Sequence, residues 1–316
     1  MVKNSLVVST MTIFFFLAFG AVLEGMGFDP IYKAHLLKTR VFGVEAVGIW
    51  QDDPVLGWMH APRSTGTQST LPDYCVSYTI DDEGHRVTSG EYGLPEILLL
   101  GGSYTFGHGV EDDETFAHLL QAEWPSFKVV NAGVNAWGTA QAYLKLEQSL
   151  RSRENIRLVI YNFIAHHQRR NGLSRAWLES LERTRGRRNP YFVFEAGRLQ
   201  HRGFADLDDA LGPSPALHRS EMRVTIELIV QMKAMAYAAG IPFRVVSLPD
   251  GSETNGSAKV VSAIFERRLS ENWIDLRGDV DFASLRYEHD FHPTPDGHRY
   301  IAERMNDEVL RPVLSR

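Results

Sequence analysis

Five short apolar runs, spread over residues 97–276, constrain this chain more than any other feature. They are Ile97-Leu98-Leu99-Leu100, Phe127-Lys128-Val129-Val130, Leu158-Val159-Ile160-Tyr161, Phe243-Arg244-Val245-Val246 and Trp273-Ile274-Asp275-Leu276. Each has strand length, and helix-length segments separate them. A strand buried on both faces lacks polar alternation, so the pattern predicts a parallel sheet covered on both sides by helices. One helix is predicted over 217–238. There Met222, Ile226, Ile229, Met232 and Met235 recur every three or four residues, and Gly240 follows as a stop. The methionines read as core packing.

The rest of the 316 residues divides around that sheet. Residues 1–25 contain Leu6–Leu23, uncharged throughout and near the lower length limit for crossing hydrocarbon as a helix. A membrane anchor is the favoured reading and a cleaved signal peptide the rival. Lys3 ahead of the run, with Glu24 and Asp29 after it, places the N-terminus in the cytoplasm and the bulk of the chain outside it. Residues 26–94 read as a juxtamembrane segment and a small β annex, with turn formers around Asp53-Pro54 and Asp81–Gly84 and alternation in Val76–Ile80. Residues 95–316 form the α/β domain. Within it, 165–202 is an insertion with nine arginines, no lysine and three glutamates. Its formal charge is +6, leaving −12 on the remainder of a chain whose net charge is −6. The insertion is read as a solvated helix face, or as a surface for anionic headgroups or acidic glycan. Pro190–Gln200 is predicted to be a hairpin turning at Ala196-Gly197. The acidic overall balance argues against a nucleic-acid partner. The single cysteine, Cys75, excludes an internal disulfide and a cysteine-based zinc finger.

In open α/β sheets, ligands bind beyond the carboxyl ends of the strands, so the residues following each run are the ones to inspect. The first run leads into Gly101-Gly102-Ser103-Tyr104-Thr105-Phe106-Gly107-His108-Gly109-Val110. A serine on a glycine-flanked strand-to-helix turn exposes its hydroxyl and suits a nucleophile; a glycine-rich helix cap or a phosphate cradle is the alternative. Near the C-terminus lies His289-Asp290-Phe291-His292-Pro293-Thr294-Pro295-Asp296-Gly297-His298. A histidine with a nearby carboxylate is the expected partner of such a serine. A capping loop ahead of the last helix is one rival reading, and a metal site using His289, Asp290, His292 and His298 is another.

On these blocks the chain resembles the SGNH (GDSL-like) hydrolase superfamily, in particular envelope members whose opening reads GDSFTFGxGVxxxETF. The matching residues here are Gly101–Val110 and Glu114-Thr115-Phe116. The resemblance covers about residues 50–310 and implies a three-layer α/β/α fold with a parallel, flavodoxin-like sheet. It implies Ser103 as nucleophile, His292 as base and Asp290 as the carboxylate partner. It places the Ala136 backbone N–H in the oxyanion hole, and His166 where relatives carry an asparagine donor. Two departures stand out: Gly102 replaces the aspartate of Gly-Asp-Ser, and Ile164-Ala165-His166-His167 replaces an Asn-Asp block. The implied activity is that of a serine esterase, or O-acyltransferase, on acyl esters of an envelope carbohydrate, with no metal or organic cofactor. A non-catalytic envelope protein binding glycan or partner proteins through the same fold is the alternative.

Overall fold

The computed structural model describes residues 43–44, 48–185, 188–250, 256–278 and 281–315. The apolar run Leu6–Leu23 lies outside them. Among the described residues no helix is long and apolar enough to cross a membrane.

The chain begins with antiparallel pieces: β1 (Gly43–Val44), β2 (Trp50–Asp53), β3 (Gly57–His60), β4 (Thr65–Thr70) and β5 (Tyr74–Thr79). β2 and β3 pair as a hairpin, while β1, β4 and β5 form a small sheet in that order. β5 alternates strictly, turning Tyr74, Val76 and Tyr78 inward. The apolar runs then form β6 (Glu96–Gly101), β7 (Lys128–Gly133), β8 (Ile156–Phe163), β11 (Phe243–Ser247) and β12 (Trp273–Asp275). Between β8 and β11 the predicted hairpin forms as β9 (Pro190–Glu195) and β10 (Arg198–Phe204). Ala196 and Gly197 both take positive φ at its turn, as a two-residue type I′ connection demands.

The five central strands are all parallel, in the order β12-β11-β8-β6-β7. Read from β7, this is the flavodoxin-like order, whose switch point lies at β6. β7 runs three residues past its apolar stretch, because Asn131, Ala132 and Gly133 still pair with Leu99, Leu100 and Gly101. Gly133 also lets a helix approach: a Cβ there would lie 2.4 Å from the Phe106 nitrogen.

Helices cover both faces: α1 (Ser103–Phe106), α2 (Phe116–Glu123), α3 (Thr139–Ser152), α4 (His166–Arg169), α5 (Arg175–Arg185), α6 (Pro215–Ala238), α7 (Gly256–Leu269) and α8 (Pro295–Met305). Ile97 and Leu99 face Phe116 and Leu120 of α2 and Ile301 and Met305 of α8. Their neighbours Leu98 and Leu100 face Ala142 and Leu146 of α3, Met232 of α6 and Phe265 of α7. Successive side chains of a strand point to opposite faces, so a continuous apolar run feeds two cores at once. Ser214 caps α6, its side chain accepting from Leu217 N at 3.1 Å, and Gly240 follows at φ +73°. Met232 is fully buried, with Met222 and Met235 packed at the margin of the same core.

The N-terminal strands are not a free-standing unit. Trp58 of β3 is fully buried among Val134, Trp137, Leu144, Leu181 and Leu228. Its indole donates to Asn135 O at 3.1 Å, and the Trp137 indole donates back to Trp58 O at 3.0 Å.

Candidate active site

Ser103 is the first residue of α1, directly after β6 at the switch point. Arg86, buried, fixes the far end of this turn. It donates to Gly107 O at 3.0 Å and Val110 O at 2.9 Å, pairs with Asp112 at 2.5 Å, and lies over the rings of Tyr78 and Phe106.

Asp290 and His292 lie in a turn just ahead of α8. Tyr287 N donates to His292 O at 2.9 Å, and Thr294 N donates to Leu285 O at 2.9 Å. Thr294 caps α8, accepting from Gly297 N at 3.2 Å, so the capping role and the chemical role coexist in one segment. Phe291, between the two, takes φ +67°, a left-handed conformation that costs a non-glycine residue roughly 1 kcal/mol. That reversal is what lets side chains only two residues apart meet. His292 Nδ1 lies 2.7 Å from Asp290 Oδ1, and His292 Nε2 lies 2.8 Å from Ser103 Oγ. A carboxylate only accepts, so Nδ1 carries the proton and the Nε2 lone pair faces the serine hydroxyl.

Electrostatics hold these forms. Burial alone would raise the Asp290 carboxyl, but the imidazoles of His292 and His108 reverse this and hold it well below the usual carboxylate range. Burial, and then His108, lower the His292 imidazole, against the pull of Asp290. At neutral pH the histidine is therefore a free base beside an ionised aspartate.

The second Asp290 oxygen, Oδ2, is taken by groups that the sequence alone did not single out. The Tyr74 hydroxyl donates to it, and His108 Nε2 lies 3.1 Å away. Asp73 accepts from the backbone N–H of His289 at 2.8 Å and of Asp290 at 2.9 Å. His108 stood in the first block and Tyr74 on an alternating strand, but neither position by itself indicated a partner some two hundred residues along the chain.

For the oxyanion donors the placement is mixed. The Ser103 N–H, at the first helical position, has no intrahelical acceptor. Ala136 follows β7 at φ +69°, a left-handed conformation that favours glycine, and its N–H meets no protein acceptor among the described residues. His166 is exposed at the start of α4 and makes no hydrogen bond with Ser103. Its neighbour His167 is buried: Nδ1 lies 2.8 Å from the Tyr161 hydroxyl, and Nε2 lies 2.7 Å from where a Cβ on Gly102 would stand. His167 thus fills part of the space that a side chain at position 102 would need, beside the Trp137 carbonyl. The four residues of the metal reading also separate. His289 pairs with Asp73 at 2.7 Å, and His298 is buried and accepts from Phe116 N at 3.2 Å. Asp290 and His292 stay together and are joined by His108.

No protein-family model matches the chain, and no curated protein matches it in sequence. Solved structures similar to it include TesA, at 15% identity over 69% of this chain and 99% of that one, with a TM-score of 0.45. The psychrotrophic esterase EstA from Pseudoalteromonas sp. is similar at 14% identity over 69% and 97%, with a TM-score of 0.43. The acetyl xylan esterase AlAXEase is similar at 14% identity over 68% and 99%, with a TM-score of 0.43. In its sheet order this chain has a flavodoxin-like α/β architecture, with Ser103, His292 and Asp290 meeting at the carboxyl edge of that sheet.

Proposed function

We propose that this protein is a serine acyl-ester hydrolase of the SGNH type. The observation that carries the reading is the continuous path from Ser103 Oγ through the His292 ring to Asp290, at 2.8 and 2.7 Å. Ser103 Oγ attacks the ester carbonyl carbon while its proton passes to His292 Nε2. The charge that develops on the carbonyl oxygen is held by the Ser103 and Ala136 N–H groups. Asp290 stabilises the imidazolium, which then protonates the departing alkoxide, leaving the acyl group on Ser103. Water releases the acyl group as the acid; an acceptor alcohol in its place makes the same site an O-acyltransferase.

The substrate we favour is a small acyl group on an envelope carbohydrate, with lipid esters second. The family resemblance supports it, as do the esterase and acetyl xylan esterase names among the similar structures. In the same reading Leu6–Leu23 anchors the chain, with the catalytic domain outside the cytoplasm. The test uses the full-length chain in detergent, with p-nitrophenyl acetate and an acetylated glycan. Ser103→Ala is expected to lower the rate by about 10⁴-fold or more. Equal rates for variant and wild type overturn the reading. Release of the full-length protein from membranes without detergent overturns the anchor.

A further inference from the structure

Only one of the two Asp290 oxygens faces His292. The other, Oδ2, is buried and held by two side chains from different parts of the fold. The Tyr74 hydroxyl, on β5, reaches it across 216 residues of sequence. His108 Nε2, from the loop after α1, reaches it at 3.1 Å across 182 residues. Each holder is itself held. The Thr70 hydroxyl donates to Tyr74 Oη at 3.0 Å, and the Asn135 amide donates to His108 Nδ1 at 3.0 Å. With Nδ1 accepting, His108 carries its proton on Nε2 and donates it to Asp290. The ring centroids of His108 and His292 stand 4.2 Å apart. Asp73, beside Tyr74, takes the backbone N–H groups of His289 and Asp290. The annex thus grips the aspartate by main chain and side chain together.

We propose that Tyr74 and His108 are positioning residues of the triad, holding Asp290 so that Oδ1 faces His292 Nδ1 and making the β annex a working part of the active site. The inference rests on the hydrolase reading. Without these donors, Oδ2 is a buried unpaired charge. The carboxylate is then free to turn and shares its charge with His292 alone, so Oδ1 no longer holds a fixed place against Nδ1. The plain alternative is that the cluster only fastens the annex to the domain.

The two accounts differ in the titration of His292. The ionisable groups around the pair are Tyr74, Tyr78 and Asp73 from the annex, and His108 beyond α1. The others are His166 and Arg170 from the segment after β8, Tyr287 from the same turn, and His298 from α8. Of these, Tyr74 and His108 bond the Asp290 side chain. Removing the Tyr74 hydroxyl leaves more of the carboxylate's charge to His292. The imidazole then holds its proton to higher pH, and the acid limb of the kcat/KM profile moves up. A purely fastening role lowers activity evenly and leaves the limb in place.

The experiment measures kcat/KM against pH for the full-length chain with p-nitrophenyl acetate, comparing wild type, Tyr74→Phe, His108→Ala, His108→Gln and Ser103→Ala. Tyr74→Phe is expected to lose about 10- to 100-fold, the range for a hydrogen bond to a buried charge, with the acid limb at higher pH. His108→Ala loses a similar amount, and His108→Gln, which keeps a donor, recovers part of it. If Tyr74→Phe does not fold, the two His108 variants decide. Wild-type rate and limb in Tyr74→Phe and His108→Ala overturn the proposal, and so does a loss with the limb unmoved. Activity retained by Ser103→Ala overturns the hydrolase reading instead, a separate outcome.

Discussion

The annex and the arginine-rich insertion are both appended to the same sheet, yet they are joined to it differently. The annex is fastened by buried polar bonds of long sequence reach. The Trp58 indole donates to Asn135 O and the Trp137 indole to Trp58 O, Arg86 holds the carbonyls beyond α1, and Asp73 and Tyr74 hold the Asp290 turn. The insertion has a short inner attachment and a solvated outer part. Arg170 donates inward to Trp137 O at 2.9 Å and Arg175 donates to Ala210 O at 2.9 Å. Phe192 and Leu181 are buried beside Trp58. Arg169, Arg188, Arg198 and Arg202 are exposed, and Arg202 pairs with an equally open Glu195 at 2.7 Å. The described arginines of the insertion are therefore mostly solvent-facing, whereas Arg86 of the annex is buried. Polar contacts taken out of water specify geometry, and those left in it contribute little to stability.

Substitutions sharpen or break this contrast. The largest effect is expected at Trp58→Ala, which opens a cavity where annex and sheet meet. Denaturant unfolding is expected to show a loss of about 3–5 kcal/mol, and a loss below about 1 kcal/mol removes the claim that the annex is integral. Arg86→Met leaves Asp112 and several carbonyls without their donor and is expected to cost about 3 kcal/mol in the same measurement. Gly102→Asp drives a side chain into His167 and is expected to cost about 1–3 kcal/mol. Adding His167→Ala should recover part of that loss. A purely additive double variant means that the two departures are independent.

Acid provides a milder probe. Burial, helped by the positive charge of Arg86, holds His298 down at about 3. Burial, followed by the charge of Lys145, holds His85 at about 4 against the pull of Glu83. The unfolded chain protonates both near their ordinary value of about 6.5. Unfolding thus takes up protons below that pH, and stability is expected to fall as pH drops from about 6.5 toward 4. A Tm that stays flat over this window contradicts the neutral buried histidines. The smallest effect belongs to the insertion's outer face, where Arg202→Ala is expected to change stability by less than about 0.5 kcal/mol.

Much of this architecture was legible before the structure. The apolar runs read as strands because a parallel strand buried on both faces has no polar alternation to confuse with a helix. Ile97–Leu100 feeds two cores from four consecutive residues. The apolar run of β7 stops short of its end, because Asn131, Ala132 and Gly133 continue the ladder without forming part of an apolar stretch. Ser103, Asp290 and His292 could be named because their local settings, a glycine turn after a strand and a histidine ahead of a proline-started helix, are written within a few adjacent residues.

What the sequence determined by itself is therefore local: which runs are strands, where the long helix α6 starts and stops, and which residues follow the strand ends. What only the tertiary structure decided is which distant side chains share a buried space. Tyr74 on an alternating strand reads as one more core aromatic, and His108 as one polar residue in a glycine loop. Their bonds to Asp290 span 216 and 182 residues. The same holds for Gly102 and His167, which read as two unrelated departures until their shared volume was seen. Periodicity and capping act over a few residues, whereas exclusion of volume and pairing of buried charge act only after the chain has closed on itself.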